Sequence, residues 1–387
     1  MKQRTIKAVF MRGGTSKGLF MHRSDLPEDA SMRDALILAA MGSPDPFERQ
    51  LDGMGGGISS LSKIMIVDRS TRPGVDIEYV FGQVSVDEAV IHYQGNCGNL
   101  TSAVAAFAVN EGLVNPKDGL VKLRMLSLNT GTIVGATLGV KESEAVVEGN
   151  FVVDGVSGSG ALIQLDFLNP AGAVCGKLLP TGMPVDVLEV QGVGGVSTTI
   201  MDAGTLVVFV NAEALRLSGR ERPTEIQADK PMMAKLEAIR VEAAVRIGAA
   251  RCTSRVSHLS PSKLSISLVA STEGQAAAES ETIRHNEADI YVQSISMGVP
   301  HRAIPVGVAM CTAVAAKVEG TVVNHLIRRN VDGRTIQIAH PAGLCPVDAV
   351  VSNTDGWHVD SIAASRTARR LMSGLVYAPE SRVCLPL

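Results

Sequence analysis

Two glycine-rich loops between Gln50 and Asn110 each deliver one side chain able to carry a proton: Lys63, after GMGGGISSLS, and Cys97, inside GNCGN. Lys63 opens the apolar run IMIV. A lysine at the mouth of a sheet is partly desolvated, which lowers its pKa and lets the neutral amine act as a base; alternatively it is an ordinary solvated lysine, as most are. Cys97 lies between Asn96 and Gly98 at the start of an alanine-rich helix. Unbonded N–H groups and the dipole favour negative charge there, and thiols in such positions are more acidic. The competing reading is a buried structural cysteine, against which the polar, glycine-flanked setting argues. Taken together, amine and thiol point to proton transfer at an anionic substrate.

An anion needs donors, and MRGGTSKG (Met11 to Gly18) is rich in them. It is no phosphate loop, since Ser16 precedes Lys17 and the glycine spacing is wrong; no GxGxxG occurs either. The N–H and hydroxyl groups of Gly13, Thr15 and Ser16 suit a carboxylate, with Arg12 as a bidentate partner, although a tight hairpin turn needs the same residue types. Gly56 and Ser62 from the first loop, and Asn96, Gly98 and Asn99 from the second, are the further expected substrate contacts. SMGVPHRAI (Ser296 to Ile304) precedes a second apolar helix as GNCGN precedes the first, so Met297, Gly298 and His301 join the set, the loop backbone counting for more than the imidazole. The histidines form no HxxxH or HExxH pattern and the six cysteines no CxxC pair, so no metal is expected and free thiols are.

The elements that must hold these residues can be read coarsely. Strands are expected at Ile6–Phe10, Leu19–Met21 and Lys63–Val67, a helix at Asp29–Met41 with Met32, Ala35, Leu36 and Ala39 on its apolar stripe, and a helix at Thr101–Val109. Val121–Leu128, Thr132–Val140 and Ala145–Val153 read as a β-meander, residues 222–247 as mostly helix, and residues 263–270 and 289–298 as strands. SRTARRLMSGLVYA near the C-terminus has the look of a closing amphipathic helix. A shift of 210 residues sets TSAVAA at Thr101 beside CTAVAA at Cys311, each followed by a glycine, Gly112 and Gly320. A gene duplication would produce this pattern, with Lys177–Gly192 as the crossover, so two halves are expected at 1–185 and 186–387.

The chain has 387 residues with 45% hydrophobic content but only 3% aromatic, so the cores must be built from Val, Ala, Ile, Leu and Met. A net charge of −3 provides no field for nucleic acid or an anionic membrane. The most apolar run, Ala303–Ala316, contains Pro305 and is too short to span a bilayer. A cytoplasmic enzyme without nucleic-acid or membrane partners is the expectation, its assembly left open with a homodimer among the options.

MRGGTSKG, GSPDPFERQLDGMGGGISSLSK, FGQVSVDEAVIHYQGNCGNLTSAVAAFAVNEGLV, LPTG and SMGVPHRAI, in this order over most of the chain, closely resemble the PrpF-like isomerases. That family includes methylaconitate, methylitaconate and oxalomesaconate isomerases. The resemblance implies an α+β, diaminopimelate epimerase-like fold of two similar halves, each wrapping sheet around a central helix, with a cofactor-free active site between them. It also implies that Lys63 and Cys97 are the proton-transfer pair. The loop GGGISSLSK departs from GGADPLTSK or GGATSSTSK in several relatives, which leaves the substrate open.

The expected reaction is an allylic isomerisation: a base removes a proton beside a carboxylate in an unsaturated di- or tricarboxylate, and a proton returns at the far end of the allyl system. One alternative is a two-thiol epimerase of amino or hydroxy acids, but the 210-residue shift puts Gly307, not a cysteine, opposite Cys97. Another is a non-catalytic accessory protein of an aconitase-like dehydratase.

Overall fold

The computed structural model describes residues 2–248, 264–272, 287–296, 298–328 and 333–383. The chain divides into two units, Met1–Leu165 with Arg366–Leu387, and Asp166–Ser365. The sequence placed the division at 185/186. The C-terminal segment, expected to be a helix of the second half, is the strand Ala368–Pro379, which pairs antiparallel with Gln3–Gly13 and so belongs with the first unit. Along it buried Val376 and Ala378 alternate with exposed Leu375 and Tyr377, a period of two that overrides the apparent helical stripe. The last strand therefore completes the first unit, and the backbone N–H of Glu380 donates to the Lys2 carbonyl at 3.2 Å.

In the first unit the strands lie side by side in the order 368–379, 3–13, 16–22, 63–69, 77–84, 119–127 and 133–141. Successive neighbours run antiparallel, antiparallel, parallel, antiparallel, parallel and antiparallel. The second unit, taken by itself, aligns 186–190, 194–202, 206–211, 264–270, 290–296, 335–340 and 343–353 with the same succession of directions. A helix follows the third strand in each unit, Ala30–Met41 in the first and Lys230–Arg246 in the second. A second helix sits between the fifth and sixth, Gly98–Asn110 in the first and Val306–Lys317 in the second. One short alanine-rich match in the sequence thus extends to a repeat of the whole unit.

Capping chemistry sets the helix bounds. Asp29 accepts a hydrogen bond from the Met32 N–H at 2.8 Å, and Gly42 ends the first helix in the left-handed conformation, φ 80°. Met32, expected on the apolar stripe, is exposed, because burial is concentrated in the later turns from Ala35 to Met41. Those turns pack on one face of the sheet with Ile6, Leu19, Ile64 and Ile66. Gly98–Asn110 is buried almost all round, which small alanines permit by letting strands approach closely. Its one large side chain, fully buried Phe107, contributes about 1.5–3 kcal/mol and meets the Phe20 ring at 5.7 Å. The expected strand Ala145–Val153 is reduced to two short pieces, Glu144–Ala145 and Phe151–Val152, and the crossover segment contains the strand Asp186–Val190.

Candidate active site

Strand alternation decides where Lys63 points. Ile64 and Ile66 belong to the core under Ala30–Met41, so Lys63 and Met65 face the other way, toward the helix Gly98–Asn110. Along the same row, Lys63 stands between Gly18 on one neighbouring strand and Gln83 on the other. Gly18 is required there, since a Cβ would lie 2.4 Å from the Lys63 carbonyl oxygen. The amine hydrogen-bonds to the Gln83 amide oxygen and lies 5.2 Å from the centre of the Phe81 ring. Burial pushes its pKa below the usual lysine value, and the proximity of the Cys97 sulfur opposes this in part. Amine and thiol are therefore electrostatic neighbours within one unit.

Cys97 is half-buried and occupies the N-cap of the helix, but its side chain does no capping. The preceding Asn96 fixes the approach to the helix: its Oδ1 accepts from the Cys97 N–H at 2.8 Å and from the Thr101 hydroxyl at 3.3 Å, while its Nδ2 donates to the Tyr79 hydroxyl at 2.8 Å. The sulfur is thus free of a structural duty at a helix start where negative charge is favoured. Tyr79 is fully buried, and burial raises its pKa against the hydrogen bonds to Thr101 and Asn96 that lower it, so it serves as a neutral phenol.

The MRGGTSKG turn closes over this helix start. Gly13 and Gly14 touch Asn99 so closely that a Cβ would fall 2.5 Å from the Asn99 carbonyl oxygen and 2.2 Å from its Oδ1. Asn99 Nδ2 donates to Thr15 Oγ1 at 2.9 Å, and buried Arg366 donates through Nε to Asn99 Oδ1 at 3.2 Å. Ser16 is buried next to this turn.

Not every expected contact has the expected job. Arg12 Nη1 donates to the Gly14 carbonyl at 3.1 Å and to the Thr367 carbonyl and hydroxyl, both at 3.0 Å. Alternation sets it with Lys17 and Phe10 on the face away from the central helix, where it ties the hairpin turn to the last strand. Ser62 is fully buried, and its hydroxyl donates to Gln50 Oε1 at 2.5 Å and to the Ile58 carbonyl at 2.8 Å, so it braces the glycine loop. Gly56 is exposed in that loop, where a Cβ would strike Leu61 at 2.6 Å. Gly98 is the first, buried residue of the helix.

The remaining candidates belong to the second unit. Gly298, φ 70°, makes the turn between two strands, and the His301 N–H donates to the Ser294 carbonyl at 2.8 Å; Met297 lies outside the described residues. In that unit the residue in the N-cap position that Cys97 holds is Pro305, not Gly307, and Cys311 is buried in the helix with its thiol directed at the Met201 carbonyl, 3.5 Å away. Burial pushes the Cys311 pKa far up. Gln83, Tyr79, Gln50 and Arg366 escaped the sequence reading; only Gln83 left a trace there, as a polar residue interrupting the apolar strand IEYVFGQV.

The fold is α+β and is one that solved epimerases share. A hydroxyproline epimerase from Agrobacterium vitis superposes with a TM-score of 0.59 over 99% of this chain and 96% of its own, at 9% identity. The crystal structure of a methylitaconate-delta-isomerase superposes with a TM-score of 0.79 at 37% identity, covering 100% of this chain and 98% of that one. Residues 3–379 match the family model of the PrpF protein, and the chain belongs to that family. Its relatives include the 2-methyl-aconitate isomerase of Shewanella oneidensis, 38% identical over 97% of both chains. The 3-methylitaconate isomerase of Eubacterium barkeri is 38% identical over 98% of this chain and 99% of its own. The (4E)-oxalomesaconate Delta-isomerase of a Novosphingobium is 36% identical over 95% and 96%. No helix among the described residues is long and apolar enough to cross a membrane.

Proposed function

We propose that this isomerase moves a double bond, or exchanges its cis and trans forms, in an unsaturated di- or tricarboxylate of the methylaconitate, methylitaconate or oxalomesaconate kind, with Lys63 and Cys97 as the proton-transfer pair. The observation that carries this reading is the placement of a desolvated amine facing the helix start that presents the thiol. One of the two removes a proton from carbon next to a carboxylate, leaving a dienolate; the other returns a proton at the far end of the allyl system, so no net charge or electron is gained. The pair needs no other acid or base, and no cofactor takes part in the step. Amide groups at the start of Gly98–Asn110 and the Gly13–Ser16 turn stabilise the charge that develops on the carboxylate, the largest electrostatic demand of such a reaction.

The substrate class is supported by the relatives' names, and the roles of Lys63 and Cys97, which the family resemblance implies, by the burial of the amine and the position of the thiol. An epimerase with a thiol on each central helix is disfavoured by Pro305 and by the inward direction of Cys311. An accessory role is excluded if purified protein alone converts an acid of this class. The test is solvent-deuterium incorporation into methylaconitate, methylitaconate and oxalomesaconate, followed by proton NMR. Folded Lys63→Ala and Cys97→Ala should each lose it; retained exchange in both removes the assignment.

A further inference from the structure

The acceptor beside the Lys63 amine is an amide, not a carboxylate, and its orientation is forced. Gln83 is buried, directly across the antiparallel pair from Lys63. Its Nε2 faces three backbone carbonyl oxygens, Ser62 at 2.9 Å, Ser59 at 3.1 Å and Val84 at 3.4 Å. Carbonyl oxygens only accept and an amide nitrogen only donates, so the NH₂ end must point at them and Oε1 at the amine. The Ser59 and Ser62 carbonyls lie in the glycine loop, which Gln50 braces through Ser62 and the Gly57 N–H. Loop, amide and amine form one chain of hydrogen bonds.

We propose that Gln83 is the positioning residue of this site, a neutral acceptor locked by three carbonyls that aims the Lys63 amine without supplying the negative charge that would fix it as an ammonium. This rests on Lys63 being a proton-transfer group. A carboxylate in the same place would favour the charged lysine, a poor base; an apolar side chain would leave the amine unaimed. The surroundings leave that choice to Gln83. Among ionisable side chains, Gly98–Asn110 offers none and its cap only Cys97. The strand Ile77–Val84 offers neutral Tyr79 on the same face, while Glu78 lies on the other, with Ser70 and Arg72. The strand Ser16–His22 places Gly18 opposite Lys63, with Lys17 turned away toward Phe10 and His22 at its far end with Glu111. His92, directly opposite Gln83 in the next antiparallel pair, shares this face on the far side of Gln83 from Lys63, and Glu48, Arg49 and Asp52 of the glycine loop are exposed.

Competitive amine labelling across pH, read by mass spectrometry on the Lys63 peptide, follows the amine's titration whether or not the residue is catalytic. In Gln83→Glu the midpoint should rise by about one unit or more, as a close carboxylate requires. In Gln83→Met, nearly isosteric and without an acceptor, it should fall by about half a unit, because the amide oxygen bonds the ammonium more strongly than the amine. Opposite shifts from two substitutions at one position are not what a purely structural role produces. The pH limb of kcat that tracks Lys63 should move with each midpoint, with KM changing less. An unmoved midpoint in the folded variants, or shifts of the same sign, overturns the proposal. If carbonyl repulsion keeps Gln83→Glu from folding, the sign of the Gln83→Met shift decides. Deuterium exchange, measured in parallel, tests the catalytic reading separately: shifted midpoints with exchange intact in Lys63→Ala would uphold the positioning by Gln83 and remove the catalytic role of Lys63.

Discussion

The two units repeat one succession of strands and helices, yet their central helices begin differently. At the start of the first central helix stands a half-buried thiol whose backbone N–H is held by Asn96; at the start of the second stands Pro305, which has neither thiol nor N–H. Where the first unit has the strand that Lys63 opens, the second has Leu264–Ala270, whose buried Ser265, Ser267 and Val269 face away from the core under residues 230–246. Duplication preserves wiring because every strand is needed for the core.

Removing the thiol breaks this comparison most severely. Cys97→Ala should lower kcat by about 10²–10⁴, the usual contribution of a positioned acid or base, whereas Cys311→Ala should leave it unchanged. Equal losses would mean that the second helix also supplies chemistry.

Lys63→Met should lose activity to a similar extent while making the protein more stable near neutral pH. Burial lowers the folded-state pKa of Lys63 below its unfolded value of 10.5. Between the lowered value and 10.5 the unfolded chain binds more protons, so this residue makes stability rise with pH across that window, and its desolvation costs stability below it. Calorimetry should show a Tm above wild type by about 2 °C or more at pH 7, with the gap closing as pH rises toward 10. A variant less stable than wild type at neutral pH contradicts the desolvated amine.

The turns give a subtler contrast. Gly14 (φ 49°) and Gly204 (φ 79°) both sit between the second and third strands of their units in left-handed backbone. Alanine at either should cost about 1–3 kcal/mol of stability by urea unfolding. Only Gly14→Ala should also slow turnover in the surviving folded enzyme, because its Cβ displaces Asn99 at the helix start, whereas the nearest atom to a Gly204 Cβ is the flexible end of Met310. Smallest in effect, brief treatment with iodoacetamide should alkylate Cys97 and exposed Cys175 and spare buried Cys311 and Cys345, as read by peptide mass spectrometry.

The positions of Lys63 at a strand start and Cys97 at a helix start were legible because a glycine-rich loop runs into each element. Gln83 was not, since its importance arises from strand register: nothing in FGQV says that it will stand opposite a residue twenty positions earlier. Arg12 was read as a bidentate partner for a carboxylate, with a tight hairpin turn as the alternative; alternation turns it to the other face, where it holds Thr367. The closing segment was read as a helix because Arg, Leu and Met suit either structure; pairing with Gln3–Gly13 settled it as a strand.

Residue types, glycine spacing and the alanine-rich helices pointed to two similar halves with an amine and a thiol in two glycine-rich loops, and the resemblance of the longer motifs to a known family implied the α+β fold. These are local properties, written in neighbouring positions. Which face each side chain takes, which acceptor meets the amine and which unit the last strand completes depended on pairings between residues far apart in the chain. Such pairings are selected by the burial of whole faces at once, and no single stretch of sequence contains that information.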